Sequence, residues 1–320
     1  MTKSGSRIFL FSFFAVFLFF SPSMAQVPTC VASIAGGGPT FTYDPILMRN
    51  PIQAAIGAAI TPYKQINISG NCSVSNYIFI SELKDYLTLA GPATITGTNA
   101  EEPVILTIGR GTLINNLTIS GGLDAIQVTR GGTAFIETNT IKNAGRYGIV
   151  ISTNSYAYLW DNTIEDNAVD GVIVVDSSTA TIGIRSGTDE EAHPNVIRRN
   201  QNGITLARSS SARIVGNTIT NNSNDGIRIS KVSQADISNN RIQANGGSGI
   251  FVTQNSGVNL GRDTGTTIFD LPNFSDASNG TYGVSCSIGG YADGRLGTLK
   301  GNSKKNTTNF SGDCINSLIP

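Results

Sequence analysis

The chain has 320 residues, enough for one or two domains with a real core. Its 22 basic and 22 acidic residues cancel, and only 14% of all residues are charged. This excludes the basic stripe of a nucleic-acid binder and the high net charge of a disordered chain. Glycine at 36 and asparagine at 30 are both in excess, while one histidine and three methionines leave little for a histidine-rich metal site.

The chain opens on Lys3 and Arg7, then an apolar run from Ile8 to Phe20, then Ser23-Met24-Ala25. A basic start, an apolar stretch and small residues at a cleavage point predict a secretory signal peptide over 1–25. The run is short of the ~20 residues a membrane span needs, and no later stretch is apolar enough for one. Removing the segment takes away seven of fourteen Phe and leaves 20 basic against 22 acidic residues. Export also makes the cysteines readable. An even number in an oxidising compartment predicts two disulfides. Of the three connectivities, the grouping favours Cys30 with Cys72 and Cys286 with Cys314. No CxxC or nearby His suggests a metal site instead.

Residues 26–80 are expected to form an N-terminal cap and first coil. Asn50 suits an N-cap and Pro51 the first helical turn, with Ile52, Ala55, Ile56, Ala59 and Ile60 on one face. A helix over 50–60 would cover the open end of a strand stack. Gln65–Gly70 and Tyr86–Gly91 then look like early coils.

Residues 81–261 repeat. Gly148, Gly171, Gly203, Gly226 and Gly249 each precede Ile or Val, at spacings of 23, 32, 23 and 23. Ala157, Ala180, Ala212 and Ala235 keep step with the first four, followed two places on by Leu159, Ile182, Ile214 and Ile237. Asparagine recurs at Asn115, Asn139, Asn162, Asn195, Asn217 and Asn240, and again at Asn167, Asn200, Asn222 and Asn245. Each unit holds three short alternating patches separated by turn residues. Three strands in about 23 residues, in fixed register, describe one coil of a parallel β-helix. Isoleucines then stack in the core, and asparagines occupy corners as structural ladders. After Gly261 the repeat fades, and 262–320 read as an irregular C-terminal cap. The expected fold is all-β: a single right-handed parallel β-helix, monomeric, with a short capping helix.

The helix at 50–60, the Ile66-Asn-Ile-Ser-Gly-Asn-Cys72 strand and the Asn-x-Ile…Asn…Gly-Ile coils resemble exported bacterial β-helix proteins of the pectate-lyase-like superfamily. The tail, with Val258-Asn-Leu-Gly261, Tyr282-Gly-Val-Ser-Cys286 and Gly294-Arg-Leu-Gly-Thr-Leu299, resembles members without an established activity. The resemblance covers most of residues 30–315. It implies uronate polysaccharide chemistry by lyases, hydrolases or epimerases. The Gly-His-Gly stretch of polygalacturonases is absent, and so is a pectate-lyase signature. A copper-maturation role, known in a relative, fits poorly with one His and three Met.

Two surface columns are candidate sites. Just after the Gly-Ile strand stand Arg130, Thr153, Asp176, Arg208, Lys231 and Gln254, with Arg228 nearby. Asp176, Arg208 and Lys231 on adjacent coils are the candidate catalytic set for a uronate; the plainer reading is a solvated charged ladder. On a second face, Phe135, Glu137, Tyr158 and Trp160, the only tryptophan, are expected outside. The one large insertion, 184–194, should emerge beside them with Arg185 and His193. Exposed aromatics stack on sugars, and Asp189, Glu190 and Glu191 are candidates to hold Ca²⁺. The plainer reading is a loop that merely covers the aromatics. The functional expectation is binding, with processing as an open extension, of an extracellular uronate-containing polysaccharide. A lyase or epimerase and a non-catalytic adhesive or structural protein are the alternatives.

Overall fold

A computed structural model describes residues 29–43, 50–60, 62–185, 191–262, 270–302 and 314–319. The expected signal segment lies outside them. Each coil supplies three short strands, such as Tyr147–Ile151, Tyr156–Trp160 and Thr163–Glu165, before Asp170–Val174 begins the next. Equivalent strands pair in parallel, Ile149 with Val172, Leu159 with Ile182 and Ile164 with Ile197. The first strands of the coils form a nine-stranded parallel sheet. The second and third strands belong to a larger sheet that folds round the other two sides. We call these sides the first, second and third faces.

Alternation decides which residues point inward. Ile149, Leu159, Ile164, Val172, Ile182 and Ile197 are fully buried and stack along one continuous core. The repeat glycines are required by close approach rather than by a turn. A Cβ on Gly171 would sit 2.8 Å from both the Gly203 carbonyl oxygen and an Ile197 methyl.

The corners are held by side chains. At the second corner, Asn162 Nδ2 donates to Asn195 Oδ1 at 2.9 Å, and Asn195 Nδ2 donates to Asn217 Oδ1 at the same distance. The ladder runs from Asn139 through Asn240 to Asn273. Asn115 is not in it. Leu117 takes the place above Asn139, and Asn115 lies opposite Glu137 in register. A second ladder joins Asn167, Asn200, Asn222 and Asn245 and continues to Asn279. Serines 155, 178, 210, 233 and 256 form a third, each hydroxyl accepting the N–H of the serine before it.

The helix spans Pro51–Ala58, and the Asn50 side chain accepts the Ile52 N–H at 2.9 Å. Ile52, Ala55, Ile56 and Ala59 are buried. Ile60, expected on that face, is 82% exposed because the backbone turns extended at Ala59. Lys84 Nζ closes the helix end by donating to the Ala59 and Gly57 carbonyls. Both expected disulfides form. Cys30–Cys72 ties the antiparallel strand Val31–Ile34 to Gln65–Val74. Cys286–Cys314 staples the tail. That tail is more regular than its composition suggests. Ile250 pairs with Val284, Gly257 with Tyr291, and Tyr291 with Ile315, all in parallel.

Candidate functional site

The second face carries two outward columns in strict register. One reads Phe135, Tyr158, Thr181, Arg213, Asp236, Asn259; the other reads Thr133, Tyr156, Thr179, Ser211, Gln234, Gly257, Tyr291. Large rings at one end and small polar residues beyond them make a step in the surface. Phe135 and Tyr158 stack with ring centroids 5.3 Å apart and planes only 7° from parallel. Tyr156 packs edge-on against Tyr158 and its hydroxyl meets Thr181 Oγ1 at 2.7 Å. Burial raises the Tyr156 phenol to about 12, so it stays a neutral hydrogen-bonding group.

Below this step lies an open groove of about 280 Å³, with Thr179, Thr181 and Ser211 on its floor and Arg213, Gln234, Asp236 and Asn259 beyond. Asn259 Nδ2 donates to Asp236 Oδ1 at 2.7 Å. Tyr291 closes the far end. Its ring lies over Gly257, where a Cβ would collide with it, and its hydroxyl donates to Gln234 Oε1 at 2.8 Å. The groove is therefore bounded by a tyrosine at each end and polar between.

Trp160 departs from expectation. It lies edge-on to Phe135 at 6.0 Å but is buried, not exposed, and its Nε1 makes no hydrogen bond to the described residues. It is a covered wall of the platform, not a stacking surface. Glu137 stands opposite it in register and accepts from Asn115 Nδ2 at 3.4 Å. The insertion returns to the coil through its own backbone, with His193 N donating to the Gly183 carbonyl at 2.7 Å. Ile184 and Val215 form a small separate core with Ala192 against it. His193 does have a partner. Its Nδ1 lies 3.3 Å from Asp161 Oδ2, and Arg185 approaches the same carboxylate at 3.7 Å. Asp161 follows Trp160 directly and was not singled out from the sequence.

Asp189 and Glu190 lie outside the described residues. Glu191 is exposed, and among the described residues no three His, Cys, Asp or Glu side chains come together as metal ligands. At the corner between the first and second faces, which we call the first edge, Asp176 pairs with Arg208 at 3.2 Å, both substantially exposed. Lys231 follows, exposed, on the next coil. The three residues do share one edge, but a carboxylate already matched to a guanidinium is the arrangement of a charged ladder.

A set of carboxylates escaped sequence reading. Asp124, Tyr147, Asp170, Asn202, Asp225 and Ser248 stand just before the glycine or its equivalent on successive coils of the first face. Asp225 Oδ1 accepts the Ser248 N–H at 2.9 Å, and Asn202 donates to Asp170 Oδ1 at 2.7 Å. Arg146 pairs with Asp124 at 2.7 Å; Arg228 pairs with Asp225 at 3.1 Å and lies over the Phe251 ring. Burial pushes the Asp170 and Asp225 carboxyls above their ordinary value. These groups are committed to the strand starts and closed to a substrate. Their signal was positional, since the residue type changes from coil to coil.

A protein-family model described as "Periplasmic copper-binding protein (NosD)" matches residues 93–260. The chain belongs to the NosD family. The family is periplasmic, in keeping with the two disulfides. The described residues of this NosD-family chain do not fit copper. All four cysteines are oxidised in pairs, the single histidine faces Asp161, and the methionines at positions 1, 24 and 48 lie outside the described residues. No curated protein sequence matches the chain. Among solved structures it is similar to pectate lyase Pel9A, with a TM-score of 0.52 and 13% identity over 83% of this chain and 75% of that one. It is also similar to an alginate lyase from Paenibacillus sp. strain FPU-7, with a TM-score of 0.52 and 16% identity over 82% and 95%. At these identities the likeness shows the fold alone. No helix among the described residues is long and apolar enough to cross a membrane.

Proposed function

We propose that this NosD-family β-helix binds a polysaccharide on its second face. The carrying observation is the stacked Phe135–Tyr158 pair, with Tyr156 edge-on to it, at the head of a groove bounded by Tyr156 and Tyr291. A sugar ring offers an apolar C–H face and an equatorial rim of hydroxyls. The aromatic step suits the first, and Thr179, Ser211, Gln234 and Asn259 suit the second. The pectate lyase and alginate lyase that share the fold are named for polysaccharide substrates, which makes uronans the first ligands to test. Arg213 in the groove is suited to a uronate carboxylate.

Glycan-array and calorimetric binding with the exported chain tests this reading. Tyr158→Ala removes half of the stacked pair from an outward position and is expected to weaken binding about tenfold, the scale of one aromatic contact. Unchanged affinity would remove the face from consideration. Parallel incubation with pectate and alginate, read as absorbance of unsaturated product, reports separately on lyase chemistry.

A further inference from the structure

A second aromatic stack lies far from the groove, on the first edge near the capping helix. Tyr63 and Tyr86 face each other with centroids 4.8 Å apart and planes 16° from parallel. Tyr63 is 73% exposed and Tyr86 46%. Tyr86 is partly seated against the coil, but Tyr63 leaves most of its ring in solvent, so burial alone does not account for the pair. Both residues hold left-handed backbone, with φ of 65° and 59°. The Tyr86 amide donates to the Arg110 carbonyl, and Asp85 pairs with Arg110 at 3.0 Å. Gly111 makes room, because a Cβ there would run into the Tyr86 ring. The Tyr86 side of the stack is thus anchored by its own turn.

Two features show what the stack can receive. Beyond Gly111 the edge continues through Gly131, beside which a Cβ would meet nothing within 4 Å, so the track is open. Arg130 lies there, about two coil spacings or ~10 Å from Tyr86. It is exposed and, unlike Arg110, has no ion-pair partner among the described residues. An exposed ring face followed by an unmatched guanidinium is complementary to a ligand with an apolar face and a carboxylate in the next units of the same chain.

We infer that this edge is a second binding site, for an acidic, uronate-containing sugar chain, with Tyr63 and Tyr86 taking one sugar ring and Arg130 the carboxylate of a later unit. The inference does not rest on the groove reading.

The test uses the full exported chain carrying Tyr158→Ala, so that the groove platform is already disabled. An oligogalacturonate of defined length and a neutral oligosaccharide of the same length are titrated by calorimetry. Adding Arg130→Ala should weaken oligogalacturonate binding about tenfold and leave the neutral oligomer unchanged. Adding Tyr63→Ala should weaken both, and Arg130→Lys should recover part of the loss. Both positions are exposed, and unaltered far-UV circular dichroism and melting confirm folding. Oligogalacturonate affinity that survives Tyr63→Ala and Arg130→Ala overturns the proposal, as does the absence of any binding by the Tyr158→Ala parent. Groove failure alone would show instead as wild-type affinity indifferent to Tyr158→Ala.

Discussion

The coil turns by left-handed backbone at two kinds of place, and they solve the same problem differently. At the second corner, the residues before the ladder asparagines, such as Thr138, Asp161 and Asn239, have positive φ. The backbone N–H of the buried asparagine that follows then donates to Oδ1 of the next coil's asparagine, and at Asn162 and Asn240 the amide nitrogen donates back to the carbonyl two residues earlier. At the first edge, two successive residues take positive φ on most coils: Thr153 and Asn154, Asp176 and Ser177, Arg208 and Ser209, Lys231 and Val232. There too the backbone bonds from coil to coil, Ser177 N donating to the Arg208 carbonyl and Ser209 N to the Lys231 carbonyl, and the buried serine that follows carries the side-chain ladder. Both corners therefore fix the buried residue that follows the turn, asparagine at one and serine at the other, while the exposed left-handed pair of the first edge is free to vary. Left-handed conformation costs ~1–2 kcal/mol for a non-glycine residue. That cost at the edge is carried by Thr, Arg, Lys and Val alike. An edge whose shape is set by backbone can vary its side chains for recognition, which is where Tyr63, Tyr86 and Arg130 stand.

The largest effect should come from the buried corner. Asn195 donates to the Leu159 carbonyl and to Asn217 Oδ1, and its own oxygen accepts from Asn162 N and Nδ2. Asn195→Ala orphans several buried polar groups at once, at ~1–3 kcal/mol each. A loss of about 3 kcal/mol or more in urea unfolding is expected. A loss under about 1 kcal/mol would break the contrast between the two corners.

Acid titration sharpens the comparison on the first face. Asp170 and Asp225 have folded values raised by burial above the ~3.9 of an unfolded aspartate. Between those values the native chain binds more protons than the unfolded one. Their contribution is therefore fully present below about pH 4 and is lost as pH rises through the folded values. Asp170→Asn, which copies Asn202 in the next coil, should flatten this part of the stability–pH curve. An unchanged slope would mean that burial does not raise the Asp170 carboxyl in the fold.

Much of this was legible in sequence, for a physical reason. Stacking puts equivalent residues in contact, so buried columns keep their chemistry: the Ile, Ala and Gly positions and the ladder asparagines from 139 to 245 were readable. Register failed where spacing changed. Asn273 and Asn279 extend both ladders, but each stands 33 or 34 residues from its predecessor instead of 23. Asn115 copied the motif two residues out of place, and Leu117 took the corner instead. The Asp170–Asp225 column was missed because Asp, Asn, Tyr and Ser share it. Trp160 was placed outward correctly by alternation, but alternation says nothing of what covers an outward side chain. The His193–Asp161 contact needed the return path of the insertion, which no local pattern encodes.

The smallest effects belong to the free edge, and they test it most directly. Arg208→Ala removes the Asp176 partner, yet both groups are well exposed, so solvent and salt screen the pair. A change within about 0.5 kcal/mol is expected, shrinking further at high salt. Val232→Gly goes the other way. Val232 is exposed at φ 63°, a conformation costly for a β-branched residue. Glycine relieves ~1–2 kcal/mol of strain and gives back ~0.5–1 through the greater entropy of the unfolded chain. The variant should therefore be neutral or more stable by up to about 1.5 kcal/mol. A clear destabilisation would mean that the side chain at this edge position contributes to folding after all. The edge would then not be free to exchange residues, and the argument that its tyrosines and arginine are there for a ligand would lose its footing.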